Sequence, residues 1–171
     1  EKINLEEINA LKTNLDSRDY EQLLPSIETQ GLVINNKLSR GVIIRGYEDL
    51  NSDHYLYDQI ITKKLNSINF NQIIIGDALA KDLNLQIGDK LKLAIPKTDI
   101  TLLGDIPRFK TLIVTGIFDF GMYEYDVGLV FISLELAQRL LLFEDNYFNR
   151  IEFYLDNPLS VNKFKNQIDS N

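Results

Sequence analysis

The chain has 171 residues, 44% of them hydrophobic and 25% charged: enough apolar side chains for a buried core in one domain or two small ones, and too many for a disordered chain. A formal charge of −7 and a pI near 4.7 exclude the lysine and arginine excess that a phosphate backbone requires, so no nucleic-acid partner is expected. Cysteine is absent, which removes disulfides and thiol catalysis, and a single histidine cannot supply the several ligands of a zinc site.

Residues 4–15 place Leu5, Ile8, Leu11 and Leu15 at helical spacing, which predicts an amphipathic helix. Residues 20–35 read as extended chain broken at Pro25 and Gly31, and Asn35-Asn36 is a turn signal leading into a strand over 38–47. A second helix is expected over 53–64. It contains His54, the only histidine, beside Tyr55 and Tyr57, and the chain has no Gly-x-Ser-x-Gly elbow. His54 therefore reads as a surface or partly buried helix residue, not a catalytic base. Residues 71–75 form a short buried strand and 77–83 a helix with Asp77 as its N-cap. Gly88-Asp89 is a turn that launches a strand over 90–95.

Pro96 and Pro107 then bracket a segment before the next strand, 110–118, and proline marks where ladder pairing stops. Inside the bracket, Ile100, Leu102, Leu103 and Ile106 are too apolar for an ordinary solvated loop. Two readings stay open: a long hairpin whose tip meets a partner, and a tip folded back on its own domain.

Asp119-Phe120-Gly121 matches a kinase triplet by letters only, since no glycine-rich phosphate loop or catalytic loop accompanies it. Asp119, Glu124 and Asp126 admit a paired-carboxylate or cation-site reading. They lack EF-hand spacing and are interleaved with Met122, Tyr123 and Tyr125, so the preferred reading is a solvated loop over an aromatic-packed base. A strand follows over 129–132, then a helix over 134–142 capped by Ser133, with Glu135 in its first turn. Ile151, Phe153 and Leu155 alternate in a half-buried strand over 150–155, and Asn157-Pro158 turns into a last helix with Ser160 as candidate cap.

The order is α-β-β-α-β-α-β-β-β-α-β-α, an α+β chain with a hairpin-rich middle. No catalytic residue, metal or cofactor is expected. No run of about twenty apolar residues is long enough to span a bilayer. The start at Glu1 without methionine, and helices at both ends, predict a piece of a larger protein.

The segment 75–95, with its helix, Gly-Asp turn and strand, is followed by Pro96, the apolar tip, Ile106-Pro107-Arg108-Phe109 and Val114-Thr115-Gly116-Ile117-Phe118. Gly121-Met122-Tyr123-Glu124-Tyr125-Asp126 and Phe131-Ile132-Ser133-Leu134-Glu135-Leu136-Ala137-Gln138-Arg139-Leu140-Leu141 come next. In this order the motifs resemble the extracytoplasmic domain of the LolC/LolE permeases, membrane subunits of the lipoprotein-releasing ABC transporter in the wider MacB/FtsX superfamily. The resemblance covers residues 38–157, and the first 35 residues match loosely.

It implies a bacterial inner-membrane protein with one transmembrane helix before Glu1 and three after Asn171, this piece facing the periplasm. The implied fold is two-lobed: a porter-like α/β lobe from residues 1–28 and 150–171, and a sabre-like β-rich lobe from 29–149 with a protruding hairpin. In the LolC branch that hairpin is a hook that captures the periplasmic chaperone LolA. Here the hook falls on Lys97, Thr98, Asp99, Ile100, Thr101, Leu102, Leu103, Gly104, Asp105 and Ile106, bracketed by Pro96 and Pro107. The accompanying pad falls on Lys92, Phe109 and Lys110, with Phe109 where the family carries a polar residue. The implied partners are a LolA-type chaperone, a lipoprotein substrate, a separate cytoplasmic ATPase subunit, and a sister LolC/LolE subunit or a second copy. The LolC, LolE and single-subunit types all remain open. So do an efflux or cell-division relative of the MacB/FtsX type and, from the generic Gly-Asp turn alone, a soluble β-barrel enzyme domain.

Overall fold

The structure, a computed structural model, describes residues 2–15, 19–49, 57–60, 68–96, 108–155 and 157–169. The chain begins with β1 (Ile3–Asn4), α1 (Leu5–Asn14), β2 (Gln22–Asn35) and β3 (Leu38–Tyr47). It continues through β4 (Gln72–Gly76), α2 (Asp77–Asp82), β5 (Lys90–Ile95), β6 (Arg108–Phe118) and α3 (Tyr123–Gly128). It ends with β7 (Leu129–Ser133), α4 (Leu134–Leu141), β8 (Tyr147–Phe148), β9 (Arg150–Tyr154) and α5 (Val161–Asp169).

Local chemistry explains most of these boundaries. Asn4 and Glu7 form a reciprocal capping box at α1, each side chain accepting the other's backbone N–H at 2.9 and 2.8 Å. Ser133 accepts from the Leu136 N–H at the start of α4, as its sequence predicts, and Leu142 leaves that helix with a left-handed φ of 55°. Asn36, with φ 54°, turns β2 into β3.

Other expectations need correction. Gly76, not Asp77, is the N-cap of α2; Asp77 is already helical and its carboxylate reaches forward one turn to Lys81. Residues 119–126 are not one loop, because Tyr123–Gly128 is a helix too short to show a period. Asn157 caps a 3-10 turn over Pro158–Ser160, and Ser160 donates back to the Asn157 carbonyl instead of capping α5. Of the helix expected over 53–64, the described part is a 3-10 turn at Tyr57–Gln59 and a bridge from Ile60 to Phe118. His54 lies outside the described residues.

Nor is β2 broken at Pro25 or Gly31. It runs unbroken for 14 residues. Its first half, through Ser26, pairs with β9 alone, so the N–H that Pro25 lacks is withdrawn from no second ladder. From Ile27 onward it pairs with β3, and Leu32–Ile34 also pair with β5 on the opposite edge. A Cβ at Gly31 would stand 2.6 Å from the Ala94 carbonyl oxygen, so only glycine admits β5 at this distance.

That double pairing closes a ring. Each strand of the series β2, β3, β7, β4, β6, β5 is hydrogen-bonded to the next, and β5 returns to β2. The β3–β7 and β4–β6 pairs are parallel and the rest antiparallel. The result is a six-stranded barrel with β9 added outside it on the first half of β2. Val33, Ile44, Ile73, Ile75, Leu93, Leu112, Val114, Val130 and Ile132 form its fully buried interior, which is continuous with Ile8 of α1 and Phe148 of β8. A second cluster, including Tyr47, Ile74, Phe118 and Phe131, fills the space by Ile60.

Where β2 exchanges β9 for β3, a polar network ties the two ladders. Glu28 takes Arg45 at 2.8 Å and Arg150 at 2.7 Å, while Asn149 bonds both backbone groups of Glu28. Glu152, its side chain 10% exposed, accepts from Tyr47, Tyr154, Ser26 and Arg150. Burial alone would push its carboxyl up, but the two tyrosine hydroxyls and the charges of Arg45 and Arg150 outweigh this and hold it below the ordinary glutamate value.

A depressed pKa contributes stability that is complete above the unfolded value, about 4.3, and is lost as pH falls through the folded value. Glu152→Gln should therefore lower stability at pH 7 by about 2 kcal/mol, with the gap to wild type closing in acid; urea titrations that show a constant gap down to pH 2 would mean that charge is not what Glu152 contributes. Gly76→Ala tests the close packing of α3 on β4. Its Cβ would stand 2.1 Å from the Asp126 carbonyl oxygen, so a loss of about 3 kcal/mol is expected, and an unchanged thermal midpoint would contradict it.

Candidate partner-binding site

The sequence places its partner-binding candidate at the hairpin end of the β5–β6 ribbon. The two strands pair in an unshifted antiparallel ladder from Lys90↔Ile113 to Ile95↔Arg108. Pro96 follows the last pair directly, so the bracketed segment is the connection of this hairpin. Lys97–Ile106, with Pro107, lie outside the described residues.

Strand alternation sorts the ribbon's side chains onto two faces. Lys90, Lys92, Phe109, Thr111 and Ile113 share the outward one, where Phe109 is 55% exposed. Leu91, Leu93 and Leu112 point into the barrel, and Arg108 and Lys110 continue that face beyond its packed interior. The three pad residues are thus divided. Lys92 and Phe109 are diagonal neighbours outside, whereas the Lys110 ammonium lies 4.3 Å from the centre of the Phe70 ring on the other face.

Phe70 receives a second cation from Arg139, 4.8 Å from the ring centre, and Arg139 also holds Glu135 at 2.8 Å. Arg108 donates to the Leu140 carbonyl and fastens the start of β6 to the end of α4. A cleft of about 560 Å³ opens beside this anchor, lined by Lys2, Thr29, Gln30, Ile95, Pro96, Arg108 and residues 140–143. Lys2 sits 4.7 Å from the centre of the Phe143 ring at its edge. The sequence assigns Phe70, Arg139 and Lys2 no role at this site, because the contacts of Phe70 with Lys110 and Arg139 and of Lys2 with Phe143 join residues remote in the chain. In a chain of net charge −7, the described residues at this end of the ribbon are mainly basic, and Lys92 lies near the exposed Phe109 ring. Among the described residues, no group of three His, Cys, Asp or Glu is placed to hold a metal ion.

The acidic cluster lies at the other end of β6. Asp126 is 5% exposed and accepts the Phe120 N–H at 2.9 Å, and Asp119 accepts the Gly121 N–H at 2.8 Å, where Gly121 has φ 70°. Burial raises the Asp126 carboxyl above the usual aspartate value. Asp126 is therefore a structural acceptor that organises the turn, while Asp119 and Glu124 face solvent. The aromatic base expected beneath the cluster is present, with Phe118, Phe120 and Tyr125 in successive ring contacts of 4.8 and 6.4 Å.

No protein-family model matches the chain. Among curated proteins it is similar to the lipoprotein-releasing system transmembrane protein LolC of Neisseria meningitidis serogroup B, with 30% identity over 137 residues, 77% of this chain and 33% of that protein. It is also similar to LolC of Xylella fastidiosa, with 33% identity over 69 residues, 40% of this chain and 17% of that protein. LolC of Buchnera aphidicola subsp. Schizaphis graminum is 26% identical over 168 residues, 93% of this chain and 40% of that protein. The chain spans well under half the length of these relatives.

Among solved structures, the extracellular domain of the noncanonic ABC-type transporter YknZ from Gram-positive bacteria superposes with a TM-score of 0.57 at 12% identity, covering 95% of this chain and 78% of that one. The periplasmic region of MacB from Actinobacillus actinomycetemcomitans gives 0.56 at 9% identity, covering 98% and 73%. These two likenesses concern fold alone, and the fold is the MacB-like α+β one that the motifs implied. The chain is a relative of the LolC transmembrane proteins of lipoprotein-releasing systems, built on the fold of MacB-type extracytoplasmic domains.

Proposed function

We propose that the chain is the periplasmic domain of the transmembrane subunit of an ABC transporter that releases lipoproteins from the inner membrane and hands them to a LolA-type chaperone. The observation that carries this reading is the position of the proline-bracketed connection. It joins Ile95 and Arg108, the last pair of a ladder fixed in the barrel wall and anchored to α4, in a chain related to LolC. The connection Lys97–Ile106 is the hook. In the ladder that leads to it, Lys92 and Phe109 lie on the outward face of the ribbon, and Lys110 lies over the Phe70 ring on the other face.

The division into a porter-like lobe of residues 1–28 and 150–171 and a sabre-like lobe of 29–149 belongs to the same proposal. It is supported by the exchange of β9 for β3 along β2 after Ser26. ATP hydrolysis falls to a separate cytoplasmic subunit, and the membrane part pairs with a sister subunit or a second copy. A second reading, the partner-binding domain of an efflux or cell-division permease of the MacB/FtsX type, is favoured by the likeness to the MacB and YknZ folds.

Binding between the 171-residue chain and the LolA-type chaperone of the same organism separates the two. Leu102→Asp should weaken it at least about a hundredfold, because an unpaired carboxylate must be desolvated where an apolar contact stood. Lys92→Glu should mainly slow association and change its salt dependence. Unchanged affinity in Leu102→Asp would remove the hook from the interface. No binding by wild type would sink the chaperone-docking reading and leave the second one standing.

A further inference from the structure

The end of β6 remote from the hairpin connection carries an exposed aromatic surface that chaperone docking leaves unused. Met122, Tyr123 and Tyr125 are 50%, 61% and 51% exposed. Along β6, which runs from Arg108 to Phe118, the stretch from Lys110 of the pad to Phe118 at the base of this tip spans about 26 Å, so a partner seated on one need not touch the other.

The tip is held stiffly. Asp126 and Asp119 fix the turn through the N–H groups of Phe120 and Gly121, and Asp119 N–H donates to Gln59 at 3.1 Å. Gly76 lets the backbone of Asp126 rest directly on β4, while Phe120 roots Tyr125 on Phe118 of the second buried cluster. Aromatic side chains already held by a rigid base lose little entropy on binding and are favoured interface anchors.

Among the described residues the charge beside them is mainly acidic. Asp119 and Glu124 are exposed, and no lysine or arginine occurs between residues 111 and 138. Lys81 of the adjoining α2 is bonded to Asp77 and also lies within electrostatic reach of Asp119, which leaves Glu124 as the carboxylate farther from a described cation. A neutral apolar partner would desolvate these carboxylates with no charge of its own to offset the cost, and an acidic one would be repelled.

We propose that this tip docks a basic, apolar segment of a protein partner. Its aliphatic side chains would pack on Met122 and the tyrosine rings, and its lysine or arginine heads would meet Asp119, Glu124 and the ring faces.

The test is a titration of the isotope-labelled 171-residue chain, followed by amide shifts, with a synthetic nonapeptide alternating lysine and leucine. A counterpart carrying glutamate for lysine is the control. Saturable shifts should centre on residues 119–125 for the lysine peptide only. Tyr123→Ser, which changes the most exposed of the rings, should weaken binding about tenfold with the remaining spectrum unchanged, and Glu124→Gln should weaken it and flatten its salt dependence. Shifts spread evenly over the acidic surface would overturn the proposal, as would equal binding of both peptides or wild-type affinity in Tyr123→Ser. Concentration-dependent shifts at the tip without peptide would assign the surface to contact between copies of this chain, which also overturns it.

Discussion

A strand with ladder partners on both edges is the constraint on which this fold depends. Leu32, Val33 and Ile34 of β2 face Gly41, Arg40 and Ser39 on one side and Ala94, Leu93 and Lys92 on the other. An open sheet would leave two rows of unpaired backbone groups, whereas closure leaves none within the ring. The side chains of β2 must therefore suit a curved, crowded wall. Gly31 admits the backbone of β5, and Val33, fully buried, fills the interior. The same strand extends beyond the barrel to carry β9, so one continuous backbone crosses from the barrel wall to the β9 pairing.

The crossing has its own polar adhesive. Glu28 and Glu152 sit at the junction with Arg45 and Arg150: the Glu28 carboxylate takes both arginines, and that of Glu152 takes Arg150 together with neutral hydroxyl donors. Partly buried ions held in this way add little net energy compared with apolar packing, but they tolerate few alternative arrangements. Their geometric effect is to hold β3, β2 and β9 in one register where β2 changes partners.

Closure also decides where binding can occur. Alternation commits one face of every barrel strand to the interior, which leaves strand ends and outward positions for partners. The two ends of β6 are chemically opposite. One is basic and anchored by Arg108 to α4, the other acidic and aromatic and anchored by Asp126 to β4. A modest net charge of −7 conceals this polarity, because it is an arrangement and not a composition.

Short-range chemistry made much of the chain legible from its residues alone. The capped helix after Ser133, the turn at Asn36, the strands over Lys90–Ile95 and Arg150–Tyr154, and the motifs on which the family resemblance rests all depend on neighbours a few positions apart. Pro25 and Gly31 misled because their usual meaning as breaks assumes a strand paired on both edges throughout; only the tertiary arrangement put Pro25 on a singly paired stretch and Gly31 at a close approach. Asp126 read as a solvated carboxylate because nothing local reveals that Gly76 lets the backbone of its helix rest on a strand fifty residues earlier. Lys110 read as a surface cation beside Lys92, yet its ring partner, Phe70, is supplied by another part of the chain. The sequence by itself determined the elements, their caps and the kinship. Which charges are buried, which rings are exposed and which residues share a face were decided by ring closure, because each depends on contacts between residues that the chain keeps far apart.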